Sequence, residues 1–315
     1  MMRTPFSPVH PFTRSPVHPS PPDTFHLTLP HLTLRHVTSP CIHAIFARVR
    51  ITPLGKYAAV FRINLLQQLA YSGETLARSL GMILFMVIFT GLWTTAYAVN
   101  GRSELAGFSL SGMIWYLAMT ETLMLARARA HLQISEDVKS GDIAYGLNKP
   151  YHYPLFQWAN ALAQSFVRFP LNCLIGLVTV FVLTRVVEGS LMGALGFIIL
   201  ATLALILDAG ISVLIGLLAF VMEEVRPVDW IYQKLVFTLG GMFLPLEVFP
   251  VWLQTLSHAL PFKYLVYAPA RTFVRFDMEF FIEAVIGVLA YIAIVWVIVG
   301  ALYAYGARKL SVNGG

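Results

Sequence analysis

Apolar residues run along this chain in long blocks separated by short polar joints. A bilayer core of about 30 Å takes roughly 20 mostly apolar residues in a helix. The first such block lies between Arg78 and Asn100, and no charge interrupts it. The second runs from Leu105 to Ala126 and holds one carboxylate, Glu121. The third covers about Leu155 to Thr184, interrupted by Arg168 and Pro170. The fourth lies within Gly189 to Met222, where the only charge is Asp208. That stretch is too short for two spans and a turn, so it predicts one long or tilted helix. The fifth is weaker: Leu235 to Leu246 is short, stops at Pro245 and Pro250, and is expected to begin before Lys234, near Trp230. The last runs from about Ala284 to Tyr305 and ends at Arg308 and Lys309. The pattern predicts an all-α integral membrane protein of six transmembrane helices, with both ends on one side.

Flanking charge orients the spans. The segment from Arg48 to Arg78, the loops from Arg127 to His152 and from Glu223 to Lys234, and the C-terminus carry 13 Lys and Arg, against 5 in the opposite loops. Both termini are therefore expected in the cytoplasm, with the chain in the cytoplasmic (inner) membrane. Composition agrees: the 315 residues are 57% hydrophobic and only 12% charged, where soluble domains carry about 25%. Mean hydropathy is +0.69. The net charge of +6 in so apolar a chain points to an anionic leaflet rather than to nucleic acid. Two cysteines, Cys41 and Cys173, exclude a disulfide framework or a cysteine-ligated metal fold.

Residues 1–45 are a different material. Ser-Pro-Val-His-Pro occurs at Ser7–Pro11 and again at Ser15–Pro19, and six of the nine histidines lie here. Prolines at this density block helices and ladders, so a disordered tail is expected. The scattered prolines argue against a metal site, and no apolar core marks a signal peptide. An over-called start is the companion expectation. The next methionine after Met2 is Met82, inside the first span, so a shorter product needs a different start codon. The remaining 46–315 form the membrane domain.

Between Tyr57 and Arg78 the pattern is amphipathic. Asn64, Gln67, Gln68, Glu74 and Arg78 share one sector, while Phe61, Leu65, Leu66, Leu69 and Leu76 point elsewhere. This reads as an N-terminal interfacial helix, the alternative being a longer first span. The loop from Arg127 to Pro154 predicts helix up to Lys139, turn chemistry at Ser140-Gly141-Asp142, and a short apolar piece, Ile143 to Leu147, stopped by Lys149-Pro150. An apolar turn on a polar loop suggests a docking surface. On the opposite side, Pro250 and Pro261 bracket a short helix with Trp252, Leu253, Leu256 and Leu260 on one face. It is expected to be re-entrant or interfacial, with Trp252 and Phe249 at headgroup depth.

Catalytic motifs are missing. The nearest string to a phosphate loop, Gly141 to Lys149, misplaces its lysine. There is no zinc-type His-Glu-x-x-His and no nucleophile elbow. Three ionisable residues lie within spans, Glu121, Arg168 and Asp208, each costing about 2.5–3.5 kcal/mol on insertion scales. They either form a proton or cation path or pair structurally, and the lack of a repeated pattern favours the second. Glu121, near the end of its span, is expected to snorkel towards water.

Two strings carry a resemblance. One is Ser140-Gly141-Asp142-Ile143-Ala144-Tyr145-Gly146-Leu147-Asn148-Lys149-Pro150. The other runs from Gly240-Gly241-Met242-Phe243-Leu244-Pro245-Leu246-Glu247-Val248-Phe249-Pro250 through Leu260-Pro261-Phe262-Lys263-Tyr264 to Tyr267-Ala268-Pro269. Over roughly Arg50 to Leu310 the chain resembles the membrane subunits of ATP-binding-cassette transporters of the ABC-2 type. Within them it looks like the bacterial multidrug and viologen-export branch. The resemblance implies a non-catalytic permease that exports an amphipathic, drug-like or lipid-linked substrate. It implies no cofactor in this chain, because ATP and magnesium sit on a separate ABC ATPase subunit. It implies a second permease subunit, with a heterodimer expected over a homodimer. It also implies a cytoplasmic coupling helix over Ile134 to Pro150. Glu136, Asp137, Gly141, Asp142, Leu147, Lys149 and Pro150 are carried over as ATPase contacts, although Gly141 and Pro150 could equally serve only to shape the turn. The substrate-binding residues stay unknown. Trp93, Trp115, Tyr116 and Phe166 could stack on a lipophilic cation, with packing the more ordinary use. An ion-coupled secondary transporter using Glu121 or Asp208, and a non-transporting anchor subunit, are the competing readings.

Overall fold

A computed structural model describes residues 53–313 apart from Tyr71, Arg102, Asn148, Pro150 and Glu223, so the proline-rich tail lies outside the described residues. Helix α1 (Pro53–Ala70) and helix α2 (Ser72–Asn100) meet at Tyr71. The amphipathic stretch expected up to Arg78 is therefore divided, and Glu74 and Arg78 belong to the helix of the first span. Asn64 of α1 turns inward and donates to Asn160 Oδ1 at 2.6 Å. Phe61 sets its edge against Phe166, with ring centres 5.9 Å apart. Ile63 and Leu66 face outward and are exposed. A polar side towards protein and an apolar side away from it suit lipid surroundings.

Among the described residues, four helices are long and apolar enough to cross a membrane: Ser79–Val99 within α2, Tyr153–Thr184 (α6), Leu191–Phe220 (α7, Leu191–Leu217, with a short 3₁₀ turn), and Met278–Arg308 within α12 (Met278–Asn313). The other two expected spans are shorter. Helix α3 (Leu110–Ala126) has 17 residues and α8 (Arg226–Leu239) has 14, or about 25 and 21 Å at 1.5 Å per residue. Every residue of α3 from Gly112 to Leu123 is buried. A helix apolar on all sides needs company on all sides, and α3 finds it against α2, α6 and α11 (Tyr267–Val274). Helix α12 packs on α7 with one face and exposes Ile282, Ile286, Leu289 and Val297 on another.

Local chemistry moves several expected boundaries. The second span begins at Leu110 rather than Leu105, because Glu104–Leu105 (β1) and Phe108–Ser109 (β2) pair as a hairpin. Its turn residues Ala106 and Gly107 have φ of 54° and 81°, the left-handed geometry that two-residue hairpins favour. Ser109 then caps α3 by accepting from the Gly112 amide at 2.9 Å. Helix α8 starts and stops earlier than expected, since Gly241, at φ 70°, turns the chain well before Pro245. Helix α6 runs unbroken through Pro170, which packed membrane helices tolerate. The short helix expected between Pro250 and Pro261 is present as α9 (Val251–Ala259), with Trp252 and Leu256 exposed. Two further short helices were not anticipated: α10 (Phe262–Leu265) and α11, both largely buried.

The hairpin, the α6–α7 joint and α9 lie at one end of the bundle. At the other end lie α4 (Ala130–Ser140) and α5 (Ile143–Leu147), separated by the turn expected at Ser140-Gly141-Asp142 within the stretch from Ile134 to Pro150. Lys139 of α4 meets Glu224, ahead of α8, at 2.9 Å. The His152 amide donates to the Tyr57 hydroxyl at 2.9 Å, and the His152 ring lies 4.8 Å from that of Tyr303. Helices α1 and α12 are thereby tied to the start of α6.

Candidate functional site

Helix α3 ends at Ala126, and α4 begins at Ala130. The intervening Arg127-Ala128-Arg129 is non-helical, with Arg127 at φ −61°, ψ 137°. Such a break frees backbone carbonyls that need partners when buried. Arg168, from the middle of α6, donates Nη1 to the Arg127 carbonyl at 3.0 Å. Its Nη2 reaches Gln164 Oε1 at 3.4 Å. The Arg127 side chain in turn places Nε 2.7 Å from Asp208 Oδ1 on α7. Asp208 also accepts from the Tyr232 hydroxyl of α8 at 2.7 Å. The Arg127 guanidinium lies 4.7 Å over the Tyr232 ring. Two of the three in-span charges therefore converge on one residue, the hinge between a membrane helix and the α4–α5 turn.

A second tie lies one turn further on. The His131 amide and Nδ1 both lie 3.2 Å from Ser212 Oγ on α7, and His131 Nε2 lies 3.3 Å from Asp229 Oδ2 on α8. Helix α4 is thus fixed to α7 and α8 through Ser212 and Asp229, and to α6 through Asp137. That carboxylate accepts from Tyr153 Oη at 2.5 Å and Gln157 Nε2 at 3.1 Å.

These groups line a polar cavity of about 570 Å³ between α1, α2, α3, α4, α6, α7 and α8. Arg127, Arg129, Arg168 and Asp229 supply its charges, with the His131 ring beside them; Gln67, Gln68, Asn172 and Gln233 supply amides. A neighbouring cavity of about 360 Å³ shares Gln67, Gln68 and Arg129 with it. On the far side of Tyr232, an apolar groove of about 580 Å³ runs between α7, α8 and α12.

Glu121 behaves differently from its expectation. It is 8% exposed and does not snorkel. Its Oε2 has no hydrogen-bond partner among the described residues. It sits within the stretch of α3 from Gly112 to Leu123, every residue of which is buried. The aromatic residues are engaged in packing. Trp115 donates Nε1 to the Val186 carbonyl at 2.9 Å and stacks on Phe273. Tyr116 donates to the Gly241 carbonyl, and Trp93 sets its ring edge-on to Tyr97.

The residues carried over to the turn separate into two groups. Glu136, Gly141, Asp142 and Lys149 are exposed, and Tyr145 and Leu132 stand beside them at 72% and 40% exposure. Gly141 caps α4 at φ 81° with open space where a side chain would stand. Ser140 Oγ donates to Asp142 Oδ2 at 2.9 Å, which stiffens the bend. Asp137, by contrast, is half-buried and turned into the bundle. Pro150 and the Leu147 side chain lie outside the described residues. Arg127, His131, Ser212, Asp229 and Tyr232 were missed by sequence reasoning. One signal pointed to Arg127: a lone in-span carboxylate such as Asp208 needs a cation, and Arg127 ends a neighbouring span.

No curated protein matches the chain. A family model described as "ABC-2 family transporter protein" matches residues 77–314, which takes in α2 from residue 77 onward and every later helix described. An all-α, multi-pass membrane chain matched over more than half its length leaves one conclusion: it belongs to the ABC-2 family of transporter proteins, as a membrane transport component.

Proposed function

We propose that this chain is the permease subunit of an exporter in the multidrug and viologen-export branch. It crosses the cytoplasmic membrane six times, α3 and α8 completing the four longer spans, with both termini in the cytoplasm. It moves an amphipathic, drug-like or lipid-linked substrate. ATP hydrolysed with magnesium on a separate ABC ATPase drives the cycle, and a second, different permease subunit completes the pore.

The observation that carries this reading is the α4–α5 turn. Asp142 and Tyr145 at the turn, and Leu132 and Glu136 on α4 leading to it, are exposed apolar and acidic side chains, of the kind that marks a docking site. Behind it, α4 is bonded to α6, α7 and α8. A push on the turn therefore reaches several membrane helices through fixed contacts. A population shift requires ATP to favour one arrangement of those helices over another.

The test is purification in mild detergent, with mass spectrometry of the accompanying chains. A nucleotide-binding ATPase and a second permease are expected in the wild type, and loss of the ATPase in Asp142→Lys and in Tyr145→Glu. Undiminished ATPase recovery in both variants would remove the docking assignment. Transport that stops when the proton gradient is collapsed at constant ATP would replace it with the ion-coupled reading.

A further inference from the structure

We infer that the polar stripe of α6, with the amides beside it on α1 and α4, holds an uncharged, hydroxyl-rich group of the transported substrate, inside one subunit rather than between two. The inference deepens the transporter reading and rests on it.

The pattern of α6 comes first. It is a 32-residue apolar helix of membrane-spanning length. Yet Gln157, Asn160, Gln164, Arg168 and Asn172 recur along it at intervals of three or four residues, which sets them on one side. All five line the two polar cavities. At 1.5 Å per residue the stripe runs about 22 Å, deep into a bilayer core of about 30 Å. It begins beside the exposed Gln67 of α1 and Gln133 of α4. It ends at Asn172, whose Oδ1 accepts from Ser79 Oγ at 2.6 Å. Beyond that point Leu174, Val178, Phe181 and Val182 are exposed and apolar. Polar side chains at membrane depth are costly, and those retained there mark substrate or ion paths.

Charge does not choose the occupant. Arg127, Arg129 and Arg168 share the cavity walls with Asp137 and Asp229, and Asp208 stands behind Arg127. Both signs are represented, so neither an anion nor a cation is favoured by formal charge.

The amides do choose. The Asn160 oxygen accepts from Asn64 at 2.6 Å and the Gln164 oxygen from Arg168 at 3.4 Å, which leaves their NH2 groups without a partner among the described residues. Gln157 and Gln133 are spent the other way round. Each donates its NH2 to Asp137, at 3.1 and 2.7 Å, and keeps its carbonyl oxygen. Gln67 and Gln68 are engaged at neither end among the described residues. The smaller cavity therefore holds unpaired donors and unpaired acceptors together. Phosphate oxygens would meet the donors alone, and an ammonium group the acceptors alone. A hydroxyl gives and accepts at one atom, so a polyol or sugar ring meets both. Volumes of about 360 and 570 Å³ are those of small-molecule sites.

The experiment uses the full-length chain, purified with the subunits that accompany it in a polyoxyethylene detergent, which carries no sugar. Water access is read first, in a Cys41→Ser/Cys173→Ser background. A membrane-impermeant maleimide should modify Gln164→Cys at least tenfold faster than Leu174→Cys on the apolar side of α6; equal rates would overturn the inference. Binding is then read by native mass spectrometry with three eight-carbon probes: octyl glucoside, octyl phosphate and octyltrimethylammonium. Saturable binding of the glucoside is expected, with both charged probes at least tenfold weaker. Gln67→Leu/Gln133→Leu, at two exposed positions, should weaken the glucoside about tenfold, as for two neutral hydrogen bonds. Competition by methyl glucoside supports the seat and assigns it to a soluble polyol; failure to compete supports it and assigns it to an amphiphile's headgroup. Absence of glucoside binding, a charged probe bound as tightly, or an undiminished double variant would overturn the inference. Recovery of the ATPase from the same samples reads the transporter proposal separately, so either can fall alone.

Discussion

Asp208→Asn tests the hinge most directly. The substitution keeps an oxygen for the Tyr232 hydroxyl but removes the charge that faces Arg127 at 2.7 Å, with the two side chains 13% and 5% exposed. Removing one partner of a buried pair costs about 3–5 kcal/mol, because the survivor is left as an uncompensated charge. The polar cavity beside Arg127 offers it some solvation, so the low end, about 3 kcal/mol, is expected. Replacing both partners, Arg127→Leu with Asp208→Leu, removes both desolvation costs together. Such exchanges are often neutral, so the double variant should recover most of the loss. The Arg127 carbonyl, and hence the Arg168 contact to it, is unaffected. The assay is reversible unfolding in mixed micelles, followed by tryptophan fluorescence, around the full double-mutant cycle. A coupling energy below about 0.5 kcal/mol is the additivity expected of independent sites. That result, or an Asp208→Asn variant as stable as the wild type, would refute the pairing as the anchor of the hinge.

Other expectations follow from the same geometry. Gly141→Ala keeps clear space around the new carbon but must hold φ 81°, at about 1–2 kcal/mol for a left-handed L-residue. Unfolding in the same micelles should show that loss, and Gly141→Asn a smaller one; an alanine variant equal to the wild type would mean that the turn is not formed. At the opposite end, His258 Nδ1 lies 3.1 Å from the buried Lys263 Nζ, which also faces Glu283 Oε1 at 3.4 Å. Burial, with Lys263 adding to it and Glu283, Glu247 and Arg271 nearby, holds the His258 imidazole below its usual 6.5. The unfolded chain therefore takes up this proton first. This contribution to stability is complete above pH 6.5 and declines as pH falls through that value towards the lower folded-state one. The thermal midpoint should fall over that window in the wild type and fall less in His258→Gln; equal slopes would exclude the histidine.

Much of the architecture is local, and the sequence alone determined it. Four spans are set by apolar runs long enough for hydrocarbon. The bend at Gly141 and the helix between Pro250 and Pro261 are set by residues whose own backbone preferences leave few choices. The Asp142 turn was legible for the same reason. What the tertiary structure decided is where the costly groups go. Arg168 and Asp208 looked like isolated charges because they are far apart in sequence. Only the packing of α6 and α7 around the end of α3 brings them to the carbonyl and side chain of one residue, Arg127. Asp137 lies two residues before Lys139, yet it turns inward because Tyr153 and Gln157 of α6 offer it hydrogen bonds. Glu121 sits near the end of its span, yet α2, α6 and α11 close around α3 and leave it buried. Hydrophobic length is a sum over neighbours along the chain. Satisfying a buried charge depends on partners that arrive only when the helices pack.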